Sequence, residues 1–195
     1  MVISMEKKEK LLLNSVGMVG LTNLRIGFRW NIVQKKSRGF FGKFFADDSE
    51  GVDLEASCLM FDENKKIIDT VSFRQLMSKD GSIIHSGDNL AADYDDDVIR
   101  VNLSKIPVGI TSLVFVISSF HGKTFNEIES ISCRLINEEN NKELARYKIL
   151  GKTNHITQIM ARIYRENGNW TMQTLGESTN ARTDLDLAEF SKVFI

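Results

Sequence analysis

A repeated alternation of apolar and polar residues with a period of two restricts the possible folds of this chain more than any other pattern in it. The alternation is clearest in residues 24–30 and 98–103. Successive side chains of a strand point to opposite faces of a sheet, so this pattern is typical of strands with one buried face. The continuous apolar run over residues 113–120 has strand length, and it predicts a central strand buried on both faces.

Further short segments of this kind are separated by turn signals such as Asn167-Gly168-Asn169, at spacings typical of β-sandwiches. They are residues 52–61, 68–73, 132–136, 144–149 and 170–175. The chain has a single proline, Pro107, and no linker rich in serine and glycine. We therefore expect one domain over residues 1–195. The sequence predicts an all-β protein, a two-sheet antiparallel β-sandwich.

Two segments differ from the plain strand pattern. The apolar positions of residues 156–164 are spaced as on a helix face, yet they also alternate as in a strand, so periodicity alone leaves the segment open. Residues 184–194 predict a short amphipathic C-terminal helix. Its apolar side is expected to carry Leu185, Leu187, Phe190 and Phe194.

The overall composition is that of an ordinary globular protein and argues against several functional classes of protein. Of the 195 residues, 42% are hydrophobic and 26% charged, which allows a core of normal size. The net charge of -1 gives no overall attraction to nucleic acid. No stretch approaches the roughly 18 apolar residues needed to cross a membrane, and the N-terminus lacks a secretory signal. We expect a cytoplasmic protein.

The densest group of charged side chains lies in residues 85–97, between two predicted strands. It holds five aspartates and one asparagine, with no lysine or arginine. Calcium prefers six to eight oxygen ligands of this kind, and the bound ion would offset the repulsion among the carboxylates. A solvated acidic turn is the alternative. The segment is not an EF-hand, because the glycine and the closing glutamate are missing at the required offsets.

A second group of acids lies in a predicted strand. Alternation puts Asp53 and Glu55 on one face of this strand, and Leu54 and Ala56 on the other. Acids in a core strand are costly unless they are paired or bind a metal. Alternatively, their face is the solvent side of an antiparallel sheet. If this strand lies beside the acidic segment, one cation would satisfy both groups.

Several motifs occur in a fixed order along the chain: LRIGFRW, GVDLEASCLMFDENKKIIDTVSF, HSGDNL, DDDVIRVNLSKIP, SSFHGKTFNEIESISCRLINEENNKELARYKI and NGNW. Together they resemble the TerD-type tellurium-resistance family, most closely its TerZ branch, over nearly the whole chain. The resemblance implies a β-sandwich that binds calcium at acidic loops, and it favours a strand for residues 156–164. It also implies a cytoplasmic stress-response role linked to tellurite resistance and to phage or colicin tolerance.

The resemblance also assigns site residues. The family's DLD motif falls on Asp53, Leu54 and Glu55, its GDN motif on residues 87–89, and its terminal acidic run on residues 95–97.

The acidic segment departs from the family pattern in two ways. Glu55 stands where aspartate is usual, although its longer side chain could still bind a metal. The loop over residues 89–95 is shorter than the typical form and lacks its glycines, and it has Ala91, Ala92 and Tyr94 in that region. Because fewer glycines restrict tight wrapping, we expect one of two family sites to be weakened.

The leading hypothesis is a calcium-dependent binding module that presents a surface to protein partners of the same stress-response system, at or near the inner membrane. The expected ligands are Asp53, Glu55, Asp88, Asn89, Asp93, Asp95, Asp96 and Asp97. A non-catalytic role is expected because no nucleophile elbow, phosphate-binding loop or HExxH motif is present. The alternative is a metal-assisted hydrolase that uses Asp53, Glu55 and His85 around a divalent ion. A third hypothesis is a scaffold whose acids are only solvated.

The remaining candidate residues give weaker indications of a function. Residues 38–45 mix four phenylalanines with basic residues, which suits a loop folded back over the sandwich or, if exposed, a membrane or protein contact. Cys58 and Cys133 lie in apolar stretches and are expected to be buried free thiols. The histidines are too far apart in sequence to indicate a zinc site.

Overall fold

The computed structural model describes residues 2–14, 20–33, 53–87 and 94–195. Within them, the strands form two six-stranded sheets that enclose a shared hydrophobic core. The first sheet has the order β1 (Ile3–Met5), β10 (Lys142–Leu150), β9 (Ile128–Asn137), β3 (Asn23–Ile32), β7 (Asp97–Asn102) and β6 (Ile83–His85). The second has the order β2 (Lys10–Leu12), β12 (Asn169–Thr179), β11 (Thr157–Glu166), β8 (Ile110–Ser119), β4 (Leu54–Asp62) and β5 (Ile67–Val71).

Pairing in both sheets is dominated by antiparallel contacts. Strands β1 and β10 pair in parallel, and the other pairings between described strands are antiparallel. A short helix, α1 (Asp184–Ser191), follows β12. The predicted all-β, two-sheet antiparallel sandwich with a short C-terminal helix is therefore confirmed.

The alternating segments of the sequence coincide with strands of the structure. Residues 24–30 lie in β3, and residues 98–103 overlap β7. Residues 156–164, which periodicity left open, overlap strand β11. The sequence pattern does not predict β1, β2 and β6, because three residues are too few to display alternation.

Strand β8 is central and buried on both faces, as the apolar run predicts. Leu113 and Phe115 face the core between the sheets, whereas Val114 and Val116 belong to a second apolar cluster on the outer face of the second sheet. The prediction extends one residue too far, because Phe120 follows the strand and is 47% exposed.

Helix α1 covers part of that outer face. Its N-terminus has a capping box, in which the Thr183 hydroxyl accepts from the Asp186 backbone N–H at 3.1 Å and the Asp186 carboxylate accepts from the Thr183 N–H. Leu187 is buried in the second cluster with Ala188. The prediction that Leu185 joins the apolar side is wrong: it is 70% exposed, because residues two apart on a helix do not share a face and Leu187 is the buried one.

Both cysteines are buried free thiols, as expected. Burial raises the pKa of the Cys58 thiol, and it raises the pKa of the Cys133 thiol to about 12. In the described parts of the chain, no helix has the length and apolar character to cross a bilayer.

Candidate functional site

The acidic segment connects β6, which ends at His85, to β7, which begins at Asp97. Its middle part, with Asp88, Asn89 and Asp93, lies outside the described residues. Its end, residues 94–97, is described, and each of these four residues contacts the sandwich. We call residues 94–97 the anchored stretch.

Tyr94, the first residue of the anchored stretch, lies among three arginines of the first sheet. The centroid of its ring is 4.4 Å from the guanidinium of Arg29, 4.3 Å from that of Arg134 and 5.5 Å from that of Arg146. Arg29 also donates to the Tyr94 carbonyl at 3.0 Å, and Arg146 donates to the Tyr94 hydroxyl at 3.2 Å. Each cation–π contact contributes about 0.5–1 kcal/mol at such sites. This aromatic residue, a departure from the family pattern, is therefore held on the sheet surface.

Asp95 forms a bidentate ion pair with Arg134 of β9. The arginine Nε donates to Oδ1 at 2.8 Å and Nη2 donates to Oδ2, while the Asp95 side chain is 0% exposed. Opposite the pair, β3 has Gly27, and a Cβ built there would lie 2.5 Å from Asp95 Cγ and closer still to Oδ2. Only glycine at position 27 leaves room for this carboxylate. A glycine within a strand often marks such a close approach.

Arg134 connects the ion pair to a second carboxylate on the same sheet. It donates to Glu143 at 2.9 Å, and Glu143 also accepts two hydrogen bonds from Arg146, at 2.7 and 2.8 Å. Hydrogen bonds from Arg146 and Arg134 lower the pKa of Glu143 against the opposing effect of its burial. Arginines therefore favour the charged form of Glu143, and Arg134 links it to Asp95.

Asp96 and Asp97 attach the stretch to both sheets. The Trp30 N–H donates to Asp96 Oδ2 at 2.8 Å, and the Asp96 N–H donates to the Phe28 carbonyl at 2.8 Å, so Asp96 is fixed to β3. Asp97 begins a strand of the first sheet, yet its Oδ2 accepts from the Ala56 N–H of β4 in the second sheet at 2.7 Å. The acidic segment thus contacts β4 at Ala56, next to Glu55 in the chain.

His85 lies beneath this junction with its side chain 2% exposed. Its Nδ1 accepts from the Gly87 N–H at 3.0 Å. Nε2 has no hydrogen-bond acceptor among the described residues, and Asp97 Oδ2 is 3.8 Å away. In this conformation Nδ1 is engaged by the backbone and Nε2 is buried.

The two acids of the β4 segment are placed apart from Asp97. Asp53 is 57% exposed, and its Oδ2 is 3.9 Å from His121 Nε2. Glu55 lines a groove on the outer face of the second sheet, as the alternation with Leu54 requires. The predicted alternation is confirmed, but the Glu55 side chain points away from the inner side on which Asp97 contacts β4.

The described residues alone do not assemble a metal centre. Among residues 2–14, 20–33, 53–87 and 94–195, no group of three or more histidine, cysteine, aspartate or glutamate side chains is close enough to hold an ion. Asp53, Asp96 and Asp97 each retain a carboxylate oxygen without a hydrogen bond from a described residue. The donor set is made of oxygens, which suits calcium better than a soft metal, and a complete site would need Asp88, Asn89 and Asp93.

Sequence reasoning missed the residues that hold this segment. Arg134, Arg29 and Arg146 come from three strands, and their outward positions in alternating strands look like ordinary solvated positions. The signal that could have been used is Gly27, an isolated glycine within a strand. The phenylalanine-rich residues 38–45 lie outside the described residues, so both their folded-back position and their alternative as a membrane or protein contact stay predictions.

The chain matches the TerD domain model over residues 1–190. It is 40% identical over 169 residues to the tellurium resistance protein TerZ of Serratia marcescens, an alignment that covers 86% of each chain. It is 34% identical to the stress response protein SCP2 of Bacillus subtilis, over 92% of this chain and 94% of that one.

A solved structure supports the same fold. The crystal structure of a homologue of telluride resistance protein (TerD), SCO6318 from Streptomyces coelicolor, superposes with a TM-score of 0.63 at 14% identity, over 85% of this chain and 95% of that one. The similar proteins found by sequence include tellurium-resistance and stress-response proteins, and the TerD model spans both sheets and nearly all of α1. The chain therefore belongs to the TerD family.

Proposed function

We propose that this protein is a non-catalytic calcium-binding module of a stress-response system that includes tellurium resistance. Calcium orders the acidic segment, and the ordered module assembles with protein partners in the cytoplasm, at or near the inner membrane. Membership of the TerD family and the names of its relatives support the stress-response part.

One observation supports calcium binding by the acidic segment. The four residues of the anchored stretch are each fixed by a separate contact, and together they join the first sheet to Ala56 of the second. A rigid end gives a wrapping loop a fixed starting geometry, so less entropy is lost when the loop closes around an ion. The rest of the acidic segment, with Asp88, Asn89 and Asp93, begins directly before it.

The contacts divide the candidate ligands by role. Asp95 holds the segment, because Arg134 occupies both of its oxygens, and Asp97 holds it to β4 through Oδ2, with a side chain that is only 10% exposed. Asp53 and Asp96, which each keep a carboxylate oxygen unbonded by the described residues, would bind the ion with Asp88, Asn89 and Asp93. Glu55 faces the groove and is not part of the proposed set. The nearby arginines attract the carboxylates of this segment, so we expect them to lower its affinity for calcium.

Isothermal titration calorimetry and thermal unfolding of chelator-stripped protein test the proposal. Calcium should give heat, and it should raise the unfolding midpoint in proportion to the logarithm of its free concentration above the Kd. The variant Asp88→Asn with Asp96→Asn should lose both effects, because each substitution removes a charge. The new amide oxygen at position 96 can still accept from the Trp30 N–H, so the anchored stretch is kept. Asp184→Asn, on the exposed first turn of α1, is the matched control and should titrate as wild type.

The absence of both heat and a midpoint shift in the wild-type protein at millimolar calcium would reject the calcium role. Equal calcium binding by the double variant and the wild type would reject the proposed ligands.

A further inference from the structure

The outer face of the second sheet contains a groove that α1 leaves uncovered. The helix packs over one part of this face through Leu187. Beyond its N-terminus the same face continues as Glu55, Ser57 and Ser118, which line a groove of about 530 Å³. This volume is within the usual range of ligand pockets, about 300–1,000 Å³. We call it the α1 groove.

Exposed apolar side chains line the α1 groove. Phe73 and Phe120 are 38% and 47% exposed and pack edge to face, with ring centroids 5.3 Å apart. Ile68 and Leu185 add further exposed apolar surface to the walls. Large apolar side chains that are exposed together in a concavity are typical of a binding surface, whereas scattered ones are not.

Two arginines of the groove differ from the other described arginines in the hydrogen bonds that their guanidinium groups make. All the other described arginines donate from their guanidinium groups to a carboxylate, amide or carbonyl. The guanidiniums of Arg74 and Arg182 meet no such acceptor within the described residues, and both line the α1 groove. Arg74 lies over the Phe73 ring at 5.2 Å, and Arg182 lies against Gly122. Both arginines therefore line the same groove as the aromatic pair.

Three acids, Glu55, Asp69 and Asp184, also line the groove, and no described contact pairs them with Arg74 or Arg182. The Asp69 side chain is only 7% exposed, and its oxygens accept from the Lys79 and Thr70 N–H groups and from the Gln75 amide. Within the part of the chain that the structure describes, no carboxylate forms an ion pair with Arg74 or Arg182. Their donors remain available to a ligand carboxylate, which arginine binds with two parallel hydrogen bonds.

We propose that the α1 groove binds an extended segment of a partner protein in which a carboxylate lies next to an aromatic or aliphatic side chain. The carboxylate binds Arg74 and Arg182, and the apolar side chain packs between Phe73, Phe120 and Leu185. The inference rests on the assembly part of the proposed function and is independent of its calcium part, because Asp96 and Asp53 do not contribute to the ligand contacts.

A library of random heptapeptides displayed on phage tests this proposal, with selection on the full chain both in calcium and in EGTA. We expect peptides enriched in aspartate or glutamate beside phenylalanine, tyrosine or leucine. The tightest peptide, synthesised with a fluorescent label, should bind at least tenfold more weakly to Arg74→Gln with Arg182→Gln. Lys105→Gln with Lys148→Gln removes two exposed charges outside the groove and is the matched control, which should bind within twofold of wild type.

Three results would overturn the inference: selection without an acidic and apolar consensus, a consensus peptide that binds the arginine variant as tightly as wild type, or a dimer of the wild-type chain that the arginine variant abolishes. The last result would assign the groove to self-association. Groove-dependent binding in EGTA supports the inference even if calcium fails to bind in calorimetry, so the two failures are distinguishable. Unchanged unfolding midpoints of both variants confirm that they fold.

Discussion

Gly27→Ala is the substitution that most directly tests how the anchored stretch is held. The new methyl group would lie 2.5 Å from Asp95 Cγ, far inside van der Waals contact. Asp95 must then leave its position, and the bidentate bond to Arg134 is lost in a place where the aspartate side chain is fully buried and the arginine is 11% exposed. Breaking a buried pair typically costs about 3–5 kcal/mol. Because Arg134 keeps Glu143 as a partner, we expect about 3 kcal/mol.

The measurement is the free energy of unfolding from urea titration, in a double-mutant cycle with Asp95→Ala. Without the Asp95 carboxylate the methyl group has room, and alanine is favoured over glycine in a strand by about 0.5–1 kcal/mol. Gly27→Ala should therefore be neutral or stabilising in the Asp95→Ala background, a reversal of sign. Gly109→Ala is the control, because a Cβ there meets nothing within 4 Å.

An equal destabilisation by Gly27→Ala in both backgrounds would refute this reasoning, since the cost would then arise from the β3 backbone and not from the Asp95 carboxylate.

Three further predictions concern other parts of the sandwich. Gly176→Ala should destabilise the fold by about 2–3 kcal/mol in urea titration, because Gly176 has φ of +66° and a Cβ would collide with the Tyr147 hydroxyl; no loss of stability would contradict the close approach. The pKa of Glu143 is lowered in the fold by Arg146, so its contribution to stability is present above its ordinary value of 4.5 and is lost as pH falls through the lower folded pKa. Glu143→Gln should therefore show a shallower loss of stability below about pH 5, and an unchanged slope would count against this ion pair. The Cys133 thiol should resist a disulfide reagent at pH 8 in the folded protein and react after unfolding, because burial raises its pKa to about 12; rapid reaction of the native protein would contradict the buried position.

The sequence predicts the longer strands well and the shortest ones not at all. Strands β3 and β8 have ten residues each, enough for alternation or a continuous apolar run to be visible. Strands β1 and β2 have three residues each, and they form because β10 and β12 offer free edges to the N-terminal chain. Edge pairing of this kind depends on backbone hydrogen bonds, which any sequence can supply.

The candidate site is predictable in kind but not in the role of each residue. The density of aspartates from residue 88 to residue 97 is visible in the sequence and indicates an oxygen-rich segment. The division between Asp95, which is paired with Arg134, and Asp96, which keeps an oxygen unbonded by the described residues, is not visible there. Arg134 is 39 residues from Asp95 along the chain, and an outward-facing arginine in a strand looks solvated until its neighbours are known.

Local periodicity and composition are enough to derive the two-sheet sandwich, the C-terminal helix and the position of the acidic segment between two strands. The packing of the sheets was needed to learn which carboxylates pair with arginines, and that Arg74 and Arg182 line one groove. The physical reason is that the energy of a charge depends on which groups surround it and on its burial, and both are set by contacts between residues that are far apart in the chain.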